Sequence, residues 1–367
     1  MNDRCNTLRK AKSRTASGKW RPAVDCHRPG AAVPGKPSPA KQKAKSHVIA
    51  RNVRVFAMRE RQELVGHTLA LLKREGSAEK VGADWSKLAR FVDQCSLLYH
   101  ANPYHNWHHA VDVTHTMAWM LTRPVLRKQI APVDSFWLLI ASIAHDLDHP
   151  GHNNQWEIYI HSPRASKYEN RAVLEHYSLD LAEELIARPE FRFTETITPQ
   201  DRERGRVVMR ETIMATDFAI HKEFMGVFEA LVRDYPARRD FRDAEFVLMV
   251  EKALIKAADI ANTAKPFAQA KIWGLRVMEE FWAQGRLEKA RSFPVGPLND
   301  EERVDLNQAQ AGFIRFAALD LFDLLARIEP ALAVQVKTLR DNIALYQSIT
   351  AKSTGGEPSA AARTAQS

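Results

Sequence analysis

The stretch DSFWLLIASIAHDLDHPG, residues 134–151, decides the fold. Phe136 to Ala144 is the longest apolar run of the chain. It falls short of the roughly 20 residues needed to cross a bilayer, yet it is apolar on every side, as a fully buried helix is. Asp134-Ser135 reads as its N-cap. The other end carries His145, Asp146, Asp148 and His149, followed by Pro150-Gly151. Ionisable groups at the end of a buried helix are costly unless something pairs with them, and a metal ion there supplies a partner.

Outward from this helix the pattern stays helical, from about Val48 to about Ile349. Phe246, Val250, Ala253, Leu254 and Ala257 recur at three- and four-residue spacing, the signature of an amphipathic helix. Glu279 to Gln284 reads as a helix end, with Gly285 in the position that favours a left-handed residue. No alternating strand, Gly-rich phosphate loop, internal repeat or linker can be read. The expectation is one compact, all-α, multi-helix domain over residues 51–349.

The net charge of +9 suggests a nucleic-acid binder until it is mapped. Residues 1–50 hold twelve Lys or Arg and only two acids, a net +10, so the remainder is close to neutral. That distribution argues against nucleic acid as the partner of the domain. Residues 1–50 also carry five prolines and few large apolar side chains, too little to offset the entropy of ordering. They read as a disordered basic tail, able to tether to anionic surfaces or to act as an organelle-targeting arm. Residues 350–367, rich in Gly, Ala, Ser and Thr, read as a second tail. Three widely spaced cysteines (Cys5, Cys26, Cys95) give no disulfide framework and suit a reducing, cytoplasmic setting. Oligomeric state cannot be read from the sequence.

Eight of the fourteen histidines fall between His100 and His152. In YHNWHHAVD (104–112), His105, His109 and Asp112 are spaced to share one face of a helix. Asp259 closes another apolar helix in KAADIAN (256–262). Singly, each is as readily a structural polar residue; jointly, adjacent His145-Asp146 with a His upstream and an Asp downstream is the ligand pattern of HD-type metal-dependent phosphohydrolases. His, Asp and a shared carboxylate suit a borderline metal such as zinc beside a harder one such as magnesium. His108, His115 and His152 are expected at the surface or behind the ligands.

YHNWHHAVDV (104–113) and HDLDHPGHNN (145–154) resemble the signatures of class I cyclic-nucleotide phosphodiesterases. MATDFAIH (214–221), KAADIANTAKP (256–266), MEEFWAQGRLEK (278–289) and AQAGFI (309–314) follow in that family's order. The resemblance implies that His109, His145, Asp146 and Asp259 hold a first metal, zinc. Asp146 would bridge to a second, magnesium or manganese, whose waters His149, Glu175 and Thr216 hold. His105 would be the general acid and Glu280 its orienting partner. Tyr104, Asn262 and Gln310 would face the nucleotide, with Val277 and Phe313 clamping the base. The implied reaction is hydrolysis of 3′,5′-cyclic AMP or cyclic GMP to the 5′-monophosphate by a hydroxide activated between two metals.

The chemistry is coherent. An anionic phosphodiester needs cations to admit a nucleophile, and its departing 3′-oxygen needs a proton from a group titrating near neutrality. A glutamine amide can flip, so Gln310 does not choose between adenine and guanine. The chain departs from the family pattern at His176-Tyr177-Ser178, at Thr263 and at Ala270, which places any change in the pocket wall and behind the ligands. The rival readings are another HD-type phosphohydrolase, which would not need His105, Gln310 or Phe313, and a catalytically silent scaffold, which would not need all four metal ligands.

Overall fold

A computed structural model describes residues 50–353 apart from Arg239. The basic stretch 1–49 and the end of the C-terminal stretch, 354–367, lie outside the described residues. No strand occurs among the described residues. The longer helices, in chain order, are α1 (Arg61–Glu75), α2 (Trp85–Leu98), α3 (Trp107–Leu121), α4 (Pro132–Ala144), α5 (Val173–Ala187) and α6 (Pro199–Ala215). They are followed by α7 (His221–Arg233), α8 (Ala244–Asp259), α9 (Phe267–Ala290), α10 (Leu306–Phe313), α11 (Asp320–Ile328) and α12 (Ala333–Ser353). None is long and apolar enough to cross a membrane.

Helix α4 is the centre of the core. Asp134 through Ala144 are all buried, and α3, α6 and α8 pack around it. In α3 every residue but His108 is buried. The packing of α6 on α4 is close enough to demand a glycine: a Cβ on Gly205 would lie 1.9 Å from the ring of Trp137. The helix begins earlier than Asp134-Ser135 suggested. Ala131 caps it and Pro132 opens it, since proline's missing N–H costs nothing in a first turn. Asp134 instead accepts from Arg204 Nε at 2.6 Å, and the same guanidinium reaches Glu251 at 2.8 Å. One arginine thus ties α4, α6 and α8 together.

The expected helix end at Gly285 is also corrected. Helix α9 runs through it to Ala290, and the glycine is there because a Cβ would fall 1.9 Å from the Asn299 carbonyl oxygen. A buried Lys265–Asp112 pair at 2.8 Å joins α3 to the turn after α8. Asn342 of α12 donates to the carbonyls of Thr263 and Lys265 in that turn. Past Phe313 the backbone widens into a π-helical stretch, Ile314–Leu319, a feature often found beside functional sites.

His115, expected at the surface or behind the ligands, lies deep in α3. Its Nε2–H donates to the Ala50 carbonyl at 2.8 Å, which leaves Nδ1 to accept from His67 Nε2–H at 3.0 Å. Burial lowers its pKa to about 4.

Two outcomes follow for stability. Gly205→Ala should gain helix propensity but lose more to overpacking, a net loss of about 2 kcal/mol or more in urea unfolding. The unfolded chain takes up a proton on His115 below pH 6.5 while the folded chain resists it to about 4. Stability contributed by neutral His115 is therefore present above pH 6.5 and lost as pH falls toward 4, by up to about 3 kcal/mol. The stability gap between wild type and His115→Gln should narrow between pH 7 and 4.5; a constant gap would contradict this origin.

Candidate active site

Three buried helices deliver the central cluster. His109 comes from the first turns of α3, His145 and Asp146 from the end of α4, and Asp259 from the last residue of α8. His109 Nε2 lies 3.0 Å from Asp259 Oδ1, and His145 Nε2 lies 3.2 Å from Asp146 Oδ2. The two Nε2 atoms are 3.3 Å apart, and one ligand atom from each of the four residues fits within 4.8 Å. His145 Nδ1 donates to the Ser142 carbonyl at 3.1 Å, so its Nε2 lone pair points into the cluster. Two imidazole nitrogens that close, flanked by two carboxylates, form a donor set that could hold a divalent cation. Burial opposes charge on His145, Asp146 and Asp259. Asp146 and then Asp259 nevertheless hold the His145 pKa well above its ordinary value, while His145 and His105 hold Asp146 well below its own.

His105 is not on the same helix face as His109. It precedes α3, whose N-cap is Asn106; the Asn106 side chain accepts from the amides of His108 and His109. The bend still brings the His105 ring within 5.7 Å of the His109 ring. Asp112 does stand on α3, but turned to Lys265. Glu280, on α9, accepts from the backbone N–H of both Tyr104 and His105 at 3.0 Å, and its other oxygen takes a short bond from His105 Nδ1. Burial alone would lower the His105 pKa; Glu280, with Asp146 and Asp259, raises it to about 9. Glu280, although burial opposes its charge, is held down to about 2 by His105.

His149 stacks on His105, with ring centroids 4.0 Å apart. Burial and the His105 charge push its pKa to about 3. Its Nδ1 accepts from the Gly151 amide, so Nε2 carries the proton. Glu175, at the start of α5, is raised to about 7 by burial and by Asp217, and accepts from Asn154 at 2.9 Å. Thr216 donates its hydroxyl to the Ile213 carbonyl. Tyr104 and Asn262 join through a 2.6 Å bond between Asn262 Nδ2 and the tyrosine oxygen. Buried Gln310 packs on Gly274, where a Cβ would come within 2.9 Å of its amide carbon. Val277 stands one turn further along α9, half-buried. The half-buried Phe313 ring lies 5.6 Å from Phe218.

Two residues escaped the sequence reading. Asn102 donates to the carbonyls of His105 at 2.8 Å and His149 at 2.7 Å, sewing the two loops together. Lys256 is buried and donates to the Ala215 carbonyl at 2.6 Å. Burial lowers its pKa to about 8 against the pull of Asp259, Asp217 and Glu175. Its signal was a lone lysine among Ile255, Ala257 and Ala258, one turn before Asp259. The departures at 176–178 prove to be supports. Tyr177 donates to Asp148 at 2.9 Å and Ser178 to the Leu147 carbonyl at 3.0 Å, while His176 stacks on Tyr168. Ala270 is buried, and Thr263 bonds the Ile260 carbonyl.

An all-helical fold that converges two histidines and two aspartates on one point, with a carboxylate-held histidine beside it, defines the class as a helical protein with a candidate metal centre. The comparisons narrow it. The family model described as 3′5′-cyclic nucleotide phosphodiesterase matches residues 104–339, and the chain belongs to that family. It is 32% identical over 232 residues to the mouse high affinity cGMP-specific 3′,5′-cyclic phosphodiesterase 9A, covering 63% of this chain and 43% of that protein. It is 28% identical over 289 residues to a probable 3′,5′-cyclic-AMP phosphodiesterase, pde-4, of Caenorhabditis elegans, covering 77% and 42%. The chain thus spans about two fifths of the length of these curated relatives. Among solved structures, the phosphodiesterase domain of a rhodopsin fusion protein from the choanoflagellate Salpingoeca rosetta superposes with a TM-score of 0.80 at 27% identity, covering 85% of this chain and 98% of that one. LmjPDEB1 in complex with IBMX gives 0.78 at 29%, covering 83% and 92%.

The His105–Glu280 pair makes an outcome measurable without turnover. In metal-free protein the His105 ring should titrate near 9 by NMR, and Glu280→Gln should move that titration down by at least one unit. An unchanged titration would show that Glu280 does not set it.

Proposed function

We propose that the protein hydrolyses purine 3′,5′-cyclic nucleotides to nucleoside 5′-monophosphates, as an enzyme of cyclic-nucleotide signalling. The observation that carries this is the carboxylate-held His105 beside the four-residue cluster: an acid placed next to a cation site. His109, His145, Asp146 and Asp259 would hold a zinc ion. Asp146 would also face a magnesium or manganese ion whose waters His149, Glu175 and Thr216 contact. Burial, and then the neighbouring Asp217 carboxylate, raises the Glu175 pKa to about 7, and a second cation would oppose both effects. When bound, the two cations neutralise the phosphate and make water acidic enough to attack at neutral pH.

The chain's own groups do the rest. Protonated His105, positioned through Nδ1 by Glu280, presents Nε2–H to the departing 3′-oxygen. Glu280 keeps that ring charged and oriented, and stacking on neutral His149 leaves the charge on His105 alone. Tyr104 and Asn262 brace each other at the nucleotide, Gln310 bonds the purine edge, and Val277 with Phe313 closes on its faces. We also propose residues 51–349 as the catalytic domain, residues 1–50 as a basic arm that contacts anionic surfaces, residues 350–367 as a C-terminal tail, and the cytoplasm as the setting.

A single panel tests the reading: metal content of the purified protein, with rates on cyclic AMP, cyclic GMP, a linear diester and a p-nitrophenyl phosphodiester. Asp259→Ala should lose both bound metal and turnover. His105→Ala should keep its metals and lose about 10² to 10⁴ in rate on cyclic nucleotides, but far less on the p-nitrophenyl ester, whose leaving group needs little protonation. Equal losses on both substrates would sink the acid assignment, and hydrolysis confined to phosphomonoesters would favour another HD-type phosphohydrolase.

A further inference from the structure

Beside the loop that carries Tyr104 and His105 lies a cavity of about 380 Å³ whose walls include Arg59, Arg61, His100, Asn102, Trp107 and Arg276. None of its lining residues is acidic. Arg61 is spoken for, bonded to Asp93 at 2.6 Å and Ser96 at 2.5 Å. Arg276 is not: its guanidinium lies 4.3 Å over the Phe56 ring and donates to the Pro103 carbonyl at 3.2 Å, with no carboxylate partner among the described residues. Arg59 uses only its backbone N–H, toward Glu63, and its exposed guanidinium has no carboxylate partner among the described residues either. The indole N–H of Trp107 is buried without an acceptor.

Two uncompensated guanidiniums at one concavity raise the local positive potential, and their planar forks match the oxygens of phosphate or sulfate. One is already oriented by an aromatic ring and a carbonyl, so little freedom is lost when an anion arrives. The volume lies within the range of about 300 to 1,000 Å³ seen for small-molecule sites, and the aromatic floor suits a ring attached to the anion.

We propose that this cavity binds a small ligand bearing a phosphate- or sulfate-type oxyanion, held between Arg59 and Arg276 over Trp107, and that its occupancy is felt at His105. The coupling is direct. Arg276 holds the Pro103 carbonyl, and Asn102, also in the wall, holds those of His105 and His149. An anion drawing on either side chain changes the hold on the loop that sets the acid. Binding at the cavity does not depend on the hydrolytic activity; only its effect on turnover rests on that reading.

The test is equilibrium dialysis of the metal-loaded protein against labelled sulfate, at ionic strength fixed with chloride, beside steady-state kinetics. Wild type should retain sulfate, Arg59→Gln should bind it about tenfold more weakly with basal kcat and KM within twofold of wild type, and Trp107→Phe should weaken it several-fold. Sulfate should change kcat in wild type and not in Arg59→Gln. Tighter retention of phenylphosphonate than of sulfate, lost in Arg59→Gln, assigns an organic ester; equal retention assigns the free inorganic anion. Sulfate binding unchanged in Arg59→Gln, or sulfate acting only as a competitor of cyclic nucleotide, overturns the site. Binding lost in the variant with no effect of sulfate on wild-type kcat overturns the coupling alone.

Discussion

Two imidazole nitrogens 3.3 Å apart, closed in by two carboxylates, are the constraint on which the rest of the structure depends. Groups like these cannot be buried together at random, because each one unpaired costs several kcal/mol in a low-dielectric interior. They are tolerable only if their geometry is held so that one cation, or a shared proton, satisfies all of them. The helical core supplies that hold. Helices α3 and α4 are buried almost along their lengths and α8 over most of its C-terminal half, so their ends cannot shift without opening the core. The Arg204 cluster and the Lys265–Asp112 pair lock the same three helices from other sides.

The second layer of order is electrostatic. His105 and His149 stack face to face, yet one is pushed up to about 9 and the other down to about 3. Two stacked rings cannot both be charged, and the buried Glu280 carboxylate decides which one is. Environments that drive two like groups apart in pKa are how a site acquires an acid with a defined role. Asn102 completes the arrangement by fixing the backbone of both rings with one amide.

The positions where this chain leaves the family pattern show how such a site tolerates change. Asp148 sits at a positive φ of 58° between Asp146 and His149. Strain of that kind persists only where neighbours over-determine it. Here they are His100, Arg164 and Tyr177, with Ser178 on the preceding carbonyl. Tyr177 and Ser178 thus both donate to the loop between Asp146 and His149.

The sequence by itself determined the helical class, the buried helix before His145-Asp146, the placement of Asp259 at a helix end and the family, because these rest on local periodicity and on contiguous strings. It could not decide what a side chain meets across the fold. His105 reads as sharing a helix face with His109, but Asn106 caps α3 after it and Glu280, 175 residues away, fixes its place. Gly285 reads as a helix end, but it marks the close approach of Asn299. Asp134 reads as a cap, but Arg204 claims it. His115 reads as lying at the surface or behind the ligands; the fold buries it and bonds it to His67, 48 residues away, not to a ligand. In each case a short-range rule was overruled by a partner distant in the chain. Only tertiary packing decides such partners, because the free energy of satisfying a buried polar group exceeds the tenths of a kcal/mol that local preference carries.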